Sequence, residues 1–287
     1  MPAPLSEDGE PPAALDTPPT AADVQVSADT GGASVESRAH PVLPARHDLR
    51  VLAWNVRDLL GEHRLVYRAI AGARADVLCL QEGPRLLFSR YLLDHLGAET
   101  GMYVLAGGRD SAGVAILVSL RAEVHDFDAL PLTKAPRSWR LKATSLLPRP
   151  RGLVRAEIGL PGRLPVRIAS IHLPVLAQER AKHVPFLRDW PDGRAAQVLA
   201  GDLNEEPGGP SWRELTRDTR DPGAGSYPTF PAARPHRRID AVLVDPSLRV
   251  TRYGWPAGVE VGHCVRGSDH LPVCADVRLP VNPQSVH

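Results

Sequence analysis

Short apolar runs, each about the length of a β-strand, recur along the sequence between glycines and prolines. Such continuous runs are typical of strands that other layers cover on both faces. Three segments have apolar residues at helical spacing instead, and 43% of all residues are hydrophobic, which suffices for a large core. The sequence therefore predicts an α/β fold in which two packed sheets have helices outside. The predicted strands lie in LRVLAWNV, DVLCLQE, AGVAILVSL, GLVRAEIGL, LPVRIASIHLP, RAAQVLAGDLN, RIDAVLVDP, LRVTRYGWP and LPVCADVRL, and the helices in EHRLVYRAIAGARA, PRLLFSRYLLDHLGA and LAQERAKHVPFLRDW.

The first part of the chain differs from the rest. Residues 1–47 are rich in Pro, Ala, Ser, Thr and Asp and lack apolar periodicity, so they cannot bury enough surface to offset the entropy of ordering. We expect a disordered tail there, one folded catalytic domain over residues 48–280, and a short C-terminal tail over residues 281–287.

The net charge of +1 conceals an asymmetry. Residues 1–47 hold seven acids and two arginines, so the rest of the chain holds 32 basic and 26 acidic residues, a net charge of +6. A mildly basic body suits an anionic substrate, although a solvated surface of this charge is also common in proteins that bind nothing charged.

Compartment and assembly follow from what the sequence lacks. No apolar run approaches the roughly 18 to 20 residues that span a bilayer, and the N-terminus has neither the basic start nor the apolar stretch of a signal peptide. We expect a cytoplasmic monomer without membrane insertion. Cys79, Cys264 and Cys274 are too few and too scattered for a disulfide framework, and we interpret them as reduced structural thiols.

Polar residues stand where the predicted strands end. Each has an ordinary explanation taken singly: an asparagine can cap or turn, a glutamate can start a helix, and a histidine can be hydrogen-bonded at an edge. Strand ends converge at one rim of a layered fold, however, and a rim rich in acids, amides and histidines is where a hard cation and an anion can meet. The residues are Asn55, Glu82, His172, Asp202, Asn204, Asp240, Asp269 and His270.

The run VLAGDLN places two of these residues close in sequence. Asp202 and Asn204 are two apart, and on an extended chain they would project to the same side. Both could then address one bound water or one phosphate oxygen.

Six short motifs occur in an order that resembles the endonuclease/exonuclease/phosphatase family, the superfamily of deoxyribonuclease I. The resemblance covers residues 49–279 and implies a four-layered α/β sandwich of two mixed β-sheets with outer helices, the deoxyribonuclease I-like fold. The motifs are WNV with Asn55, LQE with Glu82, IHL with His172, GDLN with Asp202 and Asn204, RIDAVLV with Asp240, and SDHLPV with Asp269 and His270.

The resemblance also implies a metal site. Glu82 would be a direct ligand, and Asn55 and Asp269 would complete or brace the site. Mg²⁺ prefers oxygen ligands and usually takes only one or two protein carboxylates, so we expect Mg²⁺, with Mn²⁺ as an alternative.

Catalytic roles are implied in the same way. Asp202 would orient and deprotonate the attacking water, while Asn204 and His172 would contact the phosphate. His270 would pair with Asp240, which favours the imidazolium and lets it bind phosphate or act as an acid or base. Whether Asp202 or the Asp240/His270 dyad is the base stays open at this point.

Less specific signals concern the phosphate and the leaving group. Arg151 is our choice for a further phosphate contact, with Arg155 or Arg109 as alternatives. The segment SYPTFPAARPHRR either places an aromatic or histidine side chain near the leaving group or is a turn-rich connector. The candidates in that segment are Tyr227, Phe230 and His236.

The function predicted from these features is Mg²⁺-dependent hydrolysis of a phosphodiester, with a nuclease acting on DNA or RNA favoured. The segment LTKAPRSWRLKATSLLPRPRG surrounds Trp139 with basic residues, as suits a nucleic-acid backbone and a stacked base, although it could equally be a solvated loop. The alternatives are a phosphatase or phosphodiesterase of a small molecule or lipid headgroup, and a non-catalytic binding protein that keeps the fold.

Overall fold

The structure, a computed structural model, contains two β-sheets packed face to face with helices on their outer surfaces. It describes residues 14–18, 48–85, 88–109, 111–132, 151–188 and 195–285.

Twelve strands and five α-helices are defined in the described residues. The strands are β1 (Ala14–Asp16), β2 (Asp48–Asn55), β3 (Val77–Gln81), β4 (Tyr103–Gly107), β5 (Ala115–Val118), β6 (Glu123–Pro131), β7 (Gly152–Gly159), β8 (Val166–His172), β9 (Gln197–Asp202), β10 (Asp240–Val244), β11 (Arg249–Gly254) and β12 (Val273–Arg278). The helices are α1 (His63–Ala73), α2 (Ser89–Thr100), α3 (Ala177–Arg188), α4 (Pro210–Leu215) and α5 (Val261–Gly267).

Both sheets are mixed. The larger sheet has the strand order β1-β11-β12-β2-β3-β5-β4, and the smaller has the order β10-β9-β8-β7-β6. The pairs β1/β11, β2/β3 and β8/β9 are parallel, and the remaining neighbours are antiparallel. The central strands of both sheets are buried along almost their whole length, which explains their continuous apolar sequences.

The core between the sheets follows from the two-residue period of the strands. In β2, Val51 and Ala53 face the other sheet, while Leu52 and Trp54 face the helices. Val198 and Ala200 of β9 enter the shared core from the smaller sheet.

Helices complete the two outer layers. The apolar faces of α1 and α2, with residues such as Ile70 and Leu93, cover the larger sheet, and those of α3 and α4, with Leu187 and Trp212, cover the smaller one. The order helix, sheet, sheet, helix confirms the predicted four-layered α/β sandwich.

Apart from β1, four strands or helices have no counterpart among the predicted elements. β4 is a short strand at the edge of its sheet, and α4 and α5 have only six and seven residues. β6 is an edge strand of the smaller sheet, and most of its residues are exposed. Its sequence EVHDFDALP therefore has acids at positions where a central strand has aliphatic residues.

Short segments of both predicted tails make defined contacts with the rest of the protein. Within residues 1–47, predicted to be disordered throughout, Ala14–Asp16 form β1 beside β11, so the prediction is wrong for this segment. The Asp16 carboxylate accepts two hydrogen bonds from the Arg252 guanidinium, an interaction across 236 residues of sequence that local composition does not reveal. In the predicted C-terminal tail, Val281 bridges to Arg163 and the Asn282 N–H donates to the Gly162 carbonyl.

The structure also bears on the predictions for the cysteines, the basic segment and membrane-spanning helices. Cys79, Cys264 and Cys274 are buried free thiols, as expected. Most of the basic segment around Trp139 lies outside the described residues, and only Leu132 and Arg151–Gly152 of that segment are described. Among the described residues, no helix combines the length and apolarity needed to cross a membrane.

Candidate active site

Three adjacent strands of the smaller sheet place their polar residues side by side. His172 ends β8, Asp202 ends β9, and these two residues are register partners in the parallel pair. Asp240 begins the antiparallel strand β10 and is the register partner of Asp202 on the other side. Strand register alone therefore brings together three of the predicted site residues, although 68 positions separate the first from the last.

The larger sheet contributes from the facing layer. Asn55 ends β2, and Glu82 directly follows the neighbouring parallel strand β3. Asp269 and His270 lie just before β12, which is antiparallel to β2. Both sheets thus present their polar ends at one common edge, as the sequence predicted.

Asp202 is the point where the two sheets meet. Its carboxylate is 1% exposed, and its Oδ2 accepts a hydrogen bond from Asn55 Nδ2 at 3.1 Å and lies 3.3 Å from His172 Nε2. Its Oδ1 accepts from the Asn204 backbone N–H at 2.8 Å. Burial favours the protonated acid, but the hydrogen bonds from His172 and Asn204 and the positive charge of His270 hold the pKa of Asp202 well below its usual range.

His172 is held as a neutral imidazole. Burial and the nearby Arg151 guanidinium lower its pKa, against the opposing influence of Asp202 and Glu82. Its Nδ1 lies 3.5 Å from Arg151 Nη1, a nitrogen that can only donate, so we assign the ring proton to Nε2. The Nε2–H then donates to Asp202.

His270 is in the opposite charge state. Its Nδ1 lies 2.9 Å and 3.1 Å from the two carboxylate oxygens of Asp240, and its Nε2 lies 3.9 Å from Asp202 Oδ2. Burial alone would lower the pKa, but Asp240, Asp202 and Asp269 together raise the pKa of His270 to about 10. His270 is therefore an imidazolium at neutral pH, and the expected pairing of His270 with Asp240 is present.

Several uncharged side chains fix this dyad. The Ser268 hydroxyl donates to the Asn55 carbonyl at 2.7 Å and accepts from the His270 backbone N–H at 3.2 Å. The Thr229 hydroxyl accepts from the Asp240 N–H at 3.2 Å, and the Trp54 indole N–H donates to the His270 carbonyl at 2.9 Å. Sequence reasoning missed these roles, although Ser268 stands in the SDH motif and Thr229 in the segment before Asp240.

The predicted geometry of Asn204 is wrong. β9 ends at Asp202, and Asn204 has φ of +50° in a turn, not the extended conformation that would project both side chains to one side. The turn nevertheless joins the two residues, because the Asn204 N–H binds the Asp202 carboxylate. The Asn204 amide donates to the Leu173 carbonyl at 2.9 Å, and its Nδ2 lies 3.4 Å from Asp202 Oδ2. Its contact with phosphate stays a prediction.

The predicted metal ligands lie around this centre. Glu82 is partly buried, has φ of +48°, and its charge raises the pKa of His172. The Asp269 side chain is 38% exposed, lies 3.7 Å from the Arg57 guanidinium, and its charge raises the pKa of His270. Asn55 accepts the Arg57 backbone N–H at its Oδ1, an oxygen that has a second lone pair.

The choice among the predicted phosphate-binding arginines narrows. Arg151 is buried and adjoins His172, while the Arg155 guanidinium donates to the Asp128 carboxylate across the β6/β7 pair. Arg109 is exposed. Arg151 therefore stays the favoured residue of the three.

The three side chains predicted to lie near the leaving group differ in burial and in their contacts with the site. Tyr227 is buried and its hydroxyl donates to the Pro272 carbonyl, which removes it from the rim. His236 is exposed, with its Nδ1 3.1 Å from the Arg234 carbonyl oxygen. The Phe230 ring is partly exposed and packs 4.8 Å from the His270 ring, so Phe230 is the member of this set that contacts the site.

One group of metal-ligating side chains stands out in the part of the chain that the structure describes. Asp202, Asp240 and His270 have ligand-type atoms within 4.8 Å of one another. His270 Nδ1 already faces Asp240, so this group works as a hydrogen-bonded charge pair beside a carboxylate. Glu82, Asn55 and Asp269 offer only oxygen ligands, the type that Mg²⁺ prefers.

The two-sheet sandwich with this polar edge defines the class of deoxyribonuclease I-like α/β folds. The chain belongs to the Endonuclease/Exonuclease/phosphatase family, whose model matches residues 52–270. Members of this family are phosphoester hydrolases. No curated protein matches the chain in sequence.

Solved structures share the fold at low identity. An endonuclease/exonuclease/phosphatase from Bacteroides vulgatus is 20% identical, with 81% of this chain and 99% of that chain covered and a TM-score of 0.62. The mannosyl-6-phosphatase of Bacteroides thetaiotaomicron VPI-5482 is 17% identical, with 80% and 99% covered and a TM-score of 0.61. The human Nocturnin catalytic domain with bound sulfate is 18% identical, with 82% and 96% covered and a TM-score of 0.60.

The raised pKa of His270 predicts a pH-dependent stability. The unfolded histidine titrates near 6.5, so between about pH 6.5 and 10 the folded protein binds a proton that the unfolded chain does not. The Asp240/His270 pair makes its full contribution to the free energy of unfolding below pH 6.5. That contribution is lost as the pH rises to about 10, by up to roughly 1.4 kcal/mol per pH unit. Urea denaturation of metal-free protein at several pH values measures it.

The variant Asp240→Asn is the matched control for this dependence of the free energy of unfolding on pH. Without the aspartate charge the folded pKa of His270 falls, so the stability of this variant should change less between pH 6.5 and 10 than that of the wild type. The buried thiols of Cys79 and Cys264 contribute alike in both proteins, and the comparison removes their contribution. Equal slopes would show that His270 is not charged by Asp240.

Proposed function

We propose that the protein is a divalent-metal-dependent hydrolase that cleaves a phosphodiester by attack of an activated water. The observation that carries the proposal is the ionised, buried Asp202 carboxylate between a neutral and a charged histidine. A general base beside a fixed positive charge is the pair of groups that hydrolysis of a phosphoester requires.

The charge states support Asp202 as the base, in preference to the Asp240/His270 dyad. A group that accepts a proton from water must be deprotonated beforehand, and His270 with a pKa of about 10 is already protonated at neutral pH. Asp202 is ionised there, because its pKa is depressed. We therefore assign proton acceptance to Asp202 and charge stabilisation on the phosphoryl oxygens to His270.

The reaction balances without a covalent intermediate. The attacking water transfers a proton to Asp202 while its oxygen forms a bond to phosphorus. The bond from phosphorus to the leaving oxygen breaks, and the leaving alkoxide takes a proton from solvent. His172 keeps the Asp202 carboxylate oriented through its Nε2–H. Arg151 contacts the other ring nitrogen of His172, Nδ1.

Glu82, Asn55 and Asp269 are the residues that would hold Mg²⁺, or Mn²⁺ in its place. They fit such an ion because all three offer hard oxygen atoms, and Glu82 and Asp269 are reachable from solvent. When bound, the ion supplies positive charge for the phosphate oxygens.

Nucleic acid is the substrate class we propose. The support is the net charge of +6 on residues 48–287 and the basic segment around Trp139, whose arginines suit a phosphate backbone and whose indole suits a stacked base. Phe230 beside His270 adds a partly exposed aromatic ring at the site itself.

A substrate panel tests this proposal. We expect hydrolysis of plasmid DNA, single-stranded DNA or RNA and of bis(p-nitrophenyl) phosphate, each dependent on Mg²⁺ or Mn²⁺. The variant Arg137→Ala with Arg140→Ala should raise KM for the nucleic acid and leave the small diester unaffected, because the proposed role of these arginines is to bind backbone phosphates that the small diester lacks. Activity confined to phosphomonoesters, or to a small-molecule or lipid diester, would replace the nucleic-acid proposal by the corresponding alternative.

Removal of the metal ligand should abolish activity without unfolding the protein. We expect EDTA and Glu82→Gln each to lower hydrolysis to background, and Mg²⁺ to raise the Tm of the wild type but not of Glu82→Gln, since a ligand stabilises the state that binds it. Glu99→Gln on the exposed surface of α2 is the control and should behave as the wild type. Full activity in EDTA would refute the metal-dependent mechanism.

Asp202 and His270 should act on one transition state. Asp202→Asn and His270→Ala should each lower kcat by about 10² to 10⁴ with little change in KM, the scale of a general base or a fixed charge. Because both groups stabilise the same transition state, the double variant should be only modestly slower than the slower single variant. Steady-state kinetics with the small diester measures all three, and losses that simply multiply would contradict the shared role.

A further inference from the structure

We infer that a buried ion pair between Arg180 and Glu205 positions Asp202 and His172 for the reaction. The inference rests on the proposed function, because it assigns a role to two residues that do not touch the reacting atoms. Arg180 and Glu205 are 7% and 8% exposed, and Arg180 Nη2 donates to Glu205 Oε1 at 3.1 Å. Neither residue belongs to the set predicted from the sequence.

The pair joins the two loops that follow the catalytic strands. One loop runs from His172 into α3, and the other runs from Asp202 into α4. They already touch next to the site, since the Leu173 N–H donates to the Asp202 carbonyl at 2.9 Å and the Asn204 amide donates to the Leu173 carbonyl at 2.9 Å. The ion pair is a second connection between them, farther from the reacting centre.

Arg180 fixes the first loop. Its Nη1 donates to the Pro174 carbonyl at 3.1 Å and to the Val175 carbonyl, both within three residues of His172. Arg180 lies in the first turn of α3, where a cation opposes the helix dipole. Its place there is explained by the two carbonyls and the carboxylate that it binds.

Glu205 fixes the second loop. Its Oε1 accepts from Arg180, and its Oε2 accepts from the Trp212 backbone N–H at 2.9 Å in the first turn of α4. The chain leaves room for this side chain at Gly209, where a Cβ would lie 2.3 Å from the Glu205 carboxyl carbon. Glu205 is thus held at both oxygens, three positions after Asp202.

Asn204 connects the ion pair to the reacting carboxylate, because it lies between Asp202 and Glu205. Its backbone is in the left-handed region, which asparagine adopts more readily than other residues with a side chain, and this conformation persists where the surroundings hold it. Glu205 is the next residue. Loss of the ion pair would let the turn relax, and the Asn204 N–H that binds Asp202 and the 3.3 Å contact between Asp202 and His172 would change with it.

A second ion pair, between α3 and α4 themselves, offers a matched control. Arg188 at the end of α3 binds Glu214 of α4 and also Asp218, and these groups are about a third exposed. None of its bonds reaches the loops after β8 or β9. Breaking this pair loosens the packing of α3 on α4 without releasing the catalytic loops.

Kinetics of the two sets of variants separates positioning from stability. Glu205→Ala and Arg180→Ala should lower kcat at least tenfold with KM changed less than about threefold, because a shift of about 1 Å in a reacting group can cost on the order of 100-fold in rate. Glu205→Gln keeps one acceptor oxygen in the same space but replaces the other by an NH2 group that cannot accept, so it should recover only part of the lost kcat. Arg188→Ala should lower Tm and leave kcat within about twofold.

Imidazole ¹⁵N NMR supplies a readout that needs no activity. In Glu205→Ala the His172 ring signals should move, while those of His270, which Asp240 holds, should stay. If Glu205→Ala does not fold, kcat and the His172 ring signals are measured in Arg180→Lys instead. Lysine keeps the charge but cannot bind two carbonyls and a carboxylate in one plane, so the same changes are expected.

The possible outcomes are distinguishable. If the wild type hydrolyses no phosphoester, the proposed function fails and the NMR comparison still tests the positioning. Unchanged kcat and unchanged His172 signals in a folded Glu205→Ala variant would overturn the inference, as would an equal loss of kcat in Arg188→Ala.

Discussion

The structure depends on the buried Asp202 carboxylate, which joins its two sheets. An ionised carboxylate that is 1% exposed is costly unless charged or hydrogen-bonding groups surround it. Asn55 supplies one donor from the larger sheet, and His172 and Asn204 supply donors from the smaller one. The edges of both sheets meet at this point, and the charge state of the site depends on that contact.

The two histidines show how surroundings divide one residue type between two roles. His172 lies beside a guanidinium and is kept neutral, so it can donate to Asp202 without neutralising it. His270 lies among three carboxylates and is kept charged, so it can stabilise a phosphate but cannot act as a base. Asp202 stays ionised between them, and the proposed roles follow from this arrangement of charges.

Much of this could be predicted from the sequence, because the controlling information is local. The apolar runs of β2 and β9 and the helical spacing in α1 identify those elements directly. The polar residues at strand ends identify the site, since each stands next to a buried run and strand ends converge.

The remainder depends on contacts between distant residues. The turn at Asn204 was wrongly predicted as extended because its conformation is set by bonds to Leu173 and Asp202. β1 was missed because a three-residue edge strand forms only against β11, more than 230 residues later. The Arg180/Glu205 pair joins α3 to the loop before α4, 25 residues later in the sequence, and nothing in either segment marks it.

The charge states of the two histidines test the account most directly. ¹⁵N NMR of the metal-free protein near pH 7.5 reports the protonation of each ring nitrogen, with Asp240→Asn and Arg151→Ala assigning the signals. The account predicts that His270 carries a proton on both nitrogens and that His172 is neutral with its proton on Nε2. A neutral His270, or a charged His172, would contradict it.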